Sequence, residues 1–134
     1  MARARVVIAD DQSDVLTRVA EALKGDYEIV AAVRDGMAAV AAVNALHPDL
    51  MVLDVSMPGL NGFEVAARLR SIPSPPRIVF LTMHEDRDFM EAARSAGAHG
   101  FVIKRSMSTD LLPAIARVAH GEMAFPVENG LSCL

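Results

Sequence analysis

Side chains that could bind a metal ion or a phosphoryl group follow four of the five short apolar runs in this sequence, at the points where those runs end. In chain order they are Asp10 and Asp11 after the first run, Asp54 after the third, Thr82 after the fourth and Lys104 after the fifth. Three carboxylates brought together would repel one another, and at least one pKa would rise unless a cation neutralised them. Carboxylates, a hydroxyl and an ammonium group are together suited to binding a hard cation and a phosphoryl group.

Each of these groups has a natural role in phosphoryl transfer. Mg²⁺ prefers oxygen ligands and typically takes one or two carboxylates plus phosphate oxygens. We therefore interpret Asp10 and Asp11 as the residues that bind the metal ion. Asp54 would be the nucleophile that the metal bridges to phosphate. Lys104 would supply a positive charge to the phosphoryl oxygens and Thr82 a hydrogen bond.

The elements that must position these side chains are strands and helices in alternation. β-Branched, apolar segments predict strands at 6–9, 29–33, 50–53, 77–81 and 101–103. Helical spacing predicts helices from a cap at Ser13 to about residue 23, then at 37–46, 62–71, 86–96 and 109–120. Five such alternations favour a parallel, doubly wound sheet, in which the carboxyl ends of the strands share one edge.

Each residue alone also has an ordinary structural interpretation. Asp10 and Asp11 could simply favour the dipole of the following helix, and a lone aspartate such as Asp54 often forms a turn. Thr82 is a common strand residue, and Lys104 by itself is more often solvated. Their occurrence together at four strand ends favours a shared site.

The bulk properties exclude several classes of protein. A chain of 134 residues, 52 % hydrophobic and 22 % charged, predicts one globular domain. The net charge of −4 argues against nucleic-acid binding. No apolar run reaches the roughly 18 residues of a membrane span, and no signal peptide is recognisable. Cys133 is the single cysteine, which excludes an internal disulfide. We expect a soluble, cytoplasmic protein.

Four sequence blocks carry a resemblance to a known family. The blocks are VIADDQ at 7–12, LDVSMPGLNG at 53–62, LTMH at 81–84 and GFVIK at 100–104. In order and spacing these blocks make the chain similar to the receiver domain of two-component response regulators. The likeness is closest to the NarL/FixJ type, to which the run at 115–122 adds.

The resemblance implies a flavodoxin-like α/β fold with five parallel strands in the order 2-1-3-4-5 and five flanking helices. It implies a receiver domain over residues 1–121 and a C-terminal tail over 122–134 without an output domain. The chain would be either a natural single-domain regulator or an excised receiver. It would not be an enzyme beyond its own phosphorylation and dephosphorylation.

The resemblance also implies roles for individual residues. A histidine kinase or phosphotransfer protein would phosphorylate Asp54. Mg²⁺ would be held by the side chains of Asp11 and Asp54 and by the backbone carbonyl of Ser56, with Asp10 acting largely through water. Thr82 and Lys104 would bind the phosphoryl group.

Two further roles follow from the same likeness. Thr82 and Phe101 would form a switch pair whose movement alters the surface of the fourth helix, fifth strand and fifth helix. A second copy or an output protein would bind that surface. Val15 is a candidate contact for the phosphodonor, although it could equally face the core. Arg105 stands where many receivers have proline, which leaves the geometry of the preceding peptide bond open.

Three alternatives compete with this interpretation. An aspartyl phosphohydrolase of the haloacid-dehalogenase type would carry a second aspartate two residues after Asp54, where Ser56 stands. A flavodoxin-like cofactor binder would need a Ser-, Thr- or Gly-rich phosphate loop in place of the acidic residues 10–14. A pseudo-receiver would share the fold but act without phosphorylation.

Overall fold

A five-stranded parallel sheet in the order β2-β1-β3-β4-β5 organises the computed structural model, which describes residues 3–126. The strands are β1 Arg5–Ala9, β2 Glu28–Val33, β3 Leu50–Asp54, β4 Arg77–Thr82 and β5 Gly100–Ile103. The helices are α1 Ser13–Leu23, α2 Gly36–Leu46, α3 Gly62–Leu69, α4 Arg87–Ser95 and α5 Met107–Ala119, with a 3₁₀ turn at Lys104–Ser106. The predicted fold and strand order are confirmed.

The core consists of two apolar clusters, one on each face of the sheet. Side chains of α1 and α5 pack on one face, and those of α2, α3 and α4 pack on the other. Every residue of β3 is buried, as are four of the five residues of β1. Strands covered on both faces need apolar side chains at every position, which explains why these runs do not alternate with polar residues.

The starts of α2 and α4 differ from the predictions by one residue, and those of α1 and α5 differ for identifiable reasons. Ser13 is the first residue of α1 rather than its cap, and the capping position belongs to Gln12, which makes no side-chain cap bond. The Oδ1 atom of Asp10 accepts the Gln12 N–H at 2.9 Å, so this turn is shaped by the acidic cluster. The last helix begins at Met107 instead of Thr109, because helical geometry already starts in the 3₁₀ turn after β5.

The chain after α5 returns to the free edge of β5. Ala124 forms a parallel bridge with Gly100, donates its N–H to the carbonyl of His99 at 2.9 Å and accepts the N–H of Phe101 at 2.9 Å. Residues 122–126, named here the edge segment, therefore extend the sheet by one short contact. The remainder of the predicted tail, including Cys133, lies outside the described residues.

Gly62 provides a test of how tightly α3 packs on the end of β3. A methyl group added there would lie 2.6 Å from the carbonyl oxygen of Asp54 and 2.8 Å from the Cα atom of Val55. We expect Gly62→Ala to lower the free energy of unfolding by about 1–3 kcal/mol, because the backbone must shift to admit it. Urea denaturation measures the loss. Gly25→Ala is the control, since nothing lies within 4 Å of its added methyl group, and equal losses in both variants would contradict the prediction.

Candidate functional site

Asp54 lies at the carboxyl end of β3, at the base of an open cleft of about 460 Å³. Its residue surface is 3 % exposed, and Oδ1 accepts the N–H of Ser56 at 3.3 Å. The cleft is lined by Asp11, Gln12, Asp54, Ser56, Met83, His84 and Lys104. A carboxylate in this position is shielded from bulk water yet accessible to a small ligand.

The three carboxylates predicted to meet do so. One oxygen each from Asp10, Asp11 and Asp54 lies within 4.8 Å of the others. Asp10 is only 1 % exposed, whereas Asp11 is the most accessible of the three. Such a set of oxygen ligands is the kind that a hard divalent cation prefers.

Lys104 extends from the end of β5 into the same cluster. Its Nζ atom lies 2.9 Å from Asp10 Oδ2 and 3.6 Å from Asp54 Oδ2, and donates a hydrogen bond to Gln12 Oε1 at 2.9 Å. The contact with Asp10 is close but poorly directed, because Oδ2 accepts no hydrogen bond from any group in the described chain. This buried oxygen is therefore available to a cation, and the donor set fits Mg²⁺.

The electrostatics of the cleft act most strongly on Asp54. Burial, and next the charge of Asp10, raise the pKa of the Asp54 carboxyl to about 6. The Lys104 ammonium and the Ser56 N–H act in the opposite direction without cancelling the rise. The charge of one ammonium group is thus insufficient to neutralise three carboxylates. A bound divalent cation would favour the ionised form of Asp54.

Besides the buried Asp10, three residues with predicted roles do not line the cleft. Thr82 is 1 % exposed, and its Oγ1 accepts the N–H of His84 at 3.2 Å. Phe101 is buried in the apolar cluster on the face of α2, α3 and α4. Val15 is 5 % exposed and packs in the cluster of α1 and α5, which corresponds to the core-facing alternative for this residue.

Several polar contacts at the cleft were absent from the sequence interpretation. Gln12 contacts Lys104, and the Arg34 side chain donates to the carbonyl of Asp11 at 3.1 Å. Arg34 directly follows β2, so the reasoning applied to the other strand ends would have found it. Arg105 pairs with Glu85, and the peptide bond before Arg105 is trans.

None of the described helices is long and apolar enough to cross a bilayer.

Comparison with known proteins assigns this arrangement to a family. The sequence model of the family described as the response regulator receiver domain matches residues 6–116 of this chain. The chain belongs to this family. Receiver domains generally use Mg²⁺ at an acidic pocket, and this chain has a cluster of three aspartates at its strand ends. The family is not a recognised class of catalytic enzymes.

Relatives from two genera share this domain. The chain is 40 % identical over 112 residues to the transcriptional regulatory protein PdtaR of Mycobacterium tuberculosis and 35 % identical over 121 residues to the probable regulator NarL of that organism. It is 32 % identical over 121 residues to the activator EvgA of Escherichia coli. These matches cover 83 %, 89 % and 90 % of this chain, which spans 54–59 % of the length of those relatives.

Solved structures agree with the same fold. The receiver domain of Mycobacterium tuberculosis NarL superposes with a TM-score of 0.82 at 34 % identity, covering 91 % of this chain and 100 % of that one. A LuxR-family response regulator from Aurantimonas superposes with a TM-score of 0.86 at 30 % identity, covering 92 % and 89 %. The expected resemblance, including its NarL-like character, is confirmed.

The causes of the raised Asp54 pKa can be tested one at a time. In protein without divalent cations, NMR titration of the side-chain carboxyl should give a pKa of about 6. Asp10→Asn should lower that value, because a repelling charge is removed, and Lys104→Met should raise it. Because the raised pKa disfavours the ionised carboxylate in the folded state, Asp54 lowers the free energy of unfolding above this pKa. The free energy of unfolding should recover as the pH falls through 6 and Asp54 becomes protonated. A wild-type pKa near 4, unmoved in both variants, would contradict this account.

Proposed function

We propose that this receiver accepts a phosphoryl group on Asp54 and changes its protein-binding surface in response. The observation that supports the proposal best is the placement of the Asp54 carboxylate. It lies at the base of the cleft, with two further carboxylates within 4.8 Å and the Lys104 ammonium at 3.6 Å. Phosphoryl transfer needs positioning and charge neutralisation more than covalent chemistry, and this cleft offers both.

The metal ligands in this proposal are Asp10, Asp11 and Asp54 together with the backbone carbonyl of Ser56. The buried Oδ2 of Asp10, which has no directed hydrogen bond among the described residues, supports its participation, directly or through water. When bound, Mg²⁺ would neutralise the carboxylates and the charge on the phosphoryl oxygens.

The phosphodonor in this proposal is a phosphohistidine of a kinase or phosphotransfer protein. An Asp54 carboxylate oxygen attacks the phosphorus, and the phosphorus–nitrogen bond breaks with its electron pair passing to the imidazole nitrogen. Lys104 neutralises a phosphoryl oxygen, and the Thr82 hydroxyl donates to another after it moves from its present contact with His84. Ser56 stands where an aspartyl phosphohydrolase would place its general acid, which disfavours turnover of phosphate esters.

The responding surface in this proposal comprises α4, β5 and α5. Phe101, which lies in β5, contacts Phe89 of α4 and Phe125 of the edge segment, so a change in its packing would alter this face. A second copy of the chain or a separate output protein is the proposed partner. The relatives named above are transcriptional regulators, and response regulators as a family act with histidine kinases and can dimerise.

Phosphorylation can be tested directly with a small-molecule donor. Incubation with acetyl phosphate and Mg²⁺ should add the mass of one phosphoryl group to the intact protein. Asp54→Asn should abolish the gain, because the amide cannot act as the nucleophile. Asp49→Asn, which alters an aspartate at the opposite end of β3, is the matched control and should be modified like the wild type. An unmodified wild-type mass would favour the pseudo-receiver interpretation.

Metal binding should appear as a gain in thermal stability. Mg²⁺ at about 100 times its dissociation constant should raise the free energy of unfolding by about 2.7 kcal/mol, because it binds only the folded state. Asp11→Asn should lose most of this gain. Asp14→Asn should retain it, because Asp14 is exposed in the first turn of α1 and outside the cleft. Equal Mg²⁺ responses in both variants would argue against the proposed ligands.

A further inference from the structure

All five phenylalanines of the sequence belong to one aromatic cluster. The rings of Phe63 and Phe80 lie 5.3 Å apart between centroids, as do those of Phe63 and Phe89. Phe89 lies 6.5 Å from Phe101, and Phe101 lies 6.2 Å from Phe125. In a chain with few aromatic residues, this concentration joins α3, β4, α4, β5 and the edge segment through direct ring contacts.

One end of the cluster reaches the cleft. The imidazole of His84, a lining residue, lies 4.1 Å from the ring of Phe89 between centroids. The backbone N–H of His84 donates to Thr82 Oγ1 at 3.2 Å. A movement of the Thr82 hydroxyl would therefore affect the position of His84, and a movement of His84 would affect the packing of Phe89.

The other end of the cluster holds the edge segment. Phe125 stacks on Phe101 with the two ring planes 19° apart, and the guanidinium carbon of Arg94 lies 4.1 Å from the Phe125 ring centroid. Together with the two backbone hydrogen bonds of Ala124, these contacts fix the segment on β5. A short segment with so few bonds can detach at low cost.

We propose that the edge segment is a detachable strand whose docking on β5 is coupled to phosphorylation of Asp54. The inference rests on the proposed function. The Thr82 hydroxyl leaves the His84 N–H when it turns to the phosphoryl group, and this frees His84 to move against Phe89. The altered packing is passed to the segment through contacts in the order His84, Phe89, Phe101 and Phe125.

Release of the segment changes what β5 presents to a partner. The N–H of Phe101 and the carbonyl of His99 lose their bonds to Ala124, so the edge of the sheet becomes able to pair with another strand. The ring of Phe101 also loses the cover of Phe125. Since coupling between two events is reciprocal, loosening the segment must in turn favour the phosphorylated form.

Amide hydrogen exchange tests the coupling on the whole chain. We expect the amides of Phe101 and Ala124 to exchange about fivefold faster or more after treatment with acetyl phosphate and Mg²⁺. Amides of β3 serve as the internal reference, and the intact mass of the same sample reports phosphorylation. A phosphorylated sample with unchanged exchange would overturn this inference alone. A sample that gains no phosphoryl mass would overturn the proposed function, and this inference with it.

A first pair of variants tests whether the change passes from His84 through Phe89 to the edge segment. Phe89→Leu keeps apolar volume but removes the ring beside His84, so phosphorylation should proceed without the change in exchange. Phe63→Leu removes a ring of the same cluster that does not lie between His84 and Phe125, and should leave the change intact. An undiminished change in Phe89→Leu, or an equal loss in both, would overturn the route.

A second pair of variants uses reciprocity, which holds for equilibrium binding. Phe125→Ala should bind the phosphomimetic BeF3− with Mg²⁺ at a lower half-saturating concentration than the wild type, because the docked segment no longer opposes the phosphorylated form. Met123→Ala alters an exposed residue of the same segment and should behave like the wild type. Equal half-saturating concentrations in the wild type and Phe125→Ala would contradict the coupling.

Discussion

Repulsion among three carboxylates at one edge of a buried sheet is the constraint on which the rest of the structure depends. At the 4.8 Å limit of their separation, two unit charges in a medium of effective dielectric constant 20 repel by about 3 kcal/mol. Lys104 offsets part of this repulsion by contacting Asp10 and Asp54 at once. The remainder appears as the raised pKa of Asp54, so the domain holds a site that is electrostatically incomplete without a cation.

The scaffold tolerates this site because the strands that carry it are buried on both faces. Asp10 follows β1 and Asp54 ends β3, and each of these strands has four consecutive buried apolar residues. β1 pairs with β2 and β3, and β3 pairs with β1 and β4, so the backbones that carry the two carboxylates cannot move apart without breaking strand pairing. Gly62 brings α3 directly against the backbone of Asp54 and adds to this restraint. Repulsion is therefore retained as a local property of the cleft.

The coupling proposed between the cleft and the edge segment begins with a polar contact rather than with the sheet itself. Thr82 is buried, and its Oγ1 accepts the backbone N–H of His84, a residue that lines the cleft. From there the connection continues through aromatic rings, which interact in a few discrete geometries and so transmit displacement between alternative packings. In the proposed coupling, a change at Asp54 would reach another molecule at the outer edge of β5, which the edge segment covers.

The sequence by itself determined the alternation of strands and helices and the polar residues that follow each strand, because periodicity and chain position are local properties. Parallel topology then required Asp10, Asp54 and Lys104 to meet at one edge. Only the tertiary structure decided which atoms pair there: Lys104 bonds Gln12, 92 residues away in the chain, and no local pattern specifies that contact. Packing likewise decided that Val15 faces the core and that the edge segment returns to β5. Both features depend on neighbours that are remote in the chain and adjacent only in the folded domain.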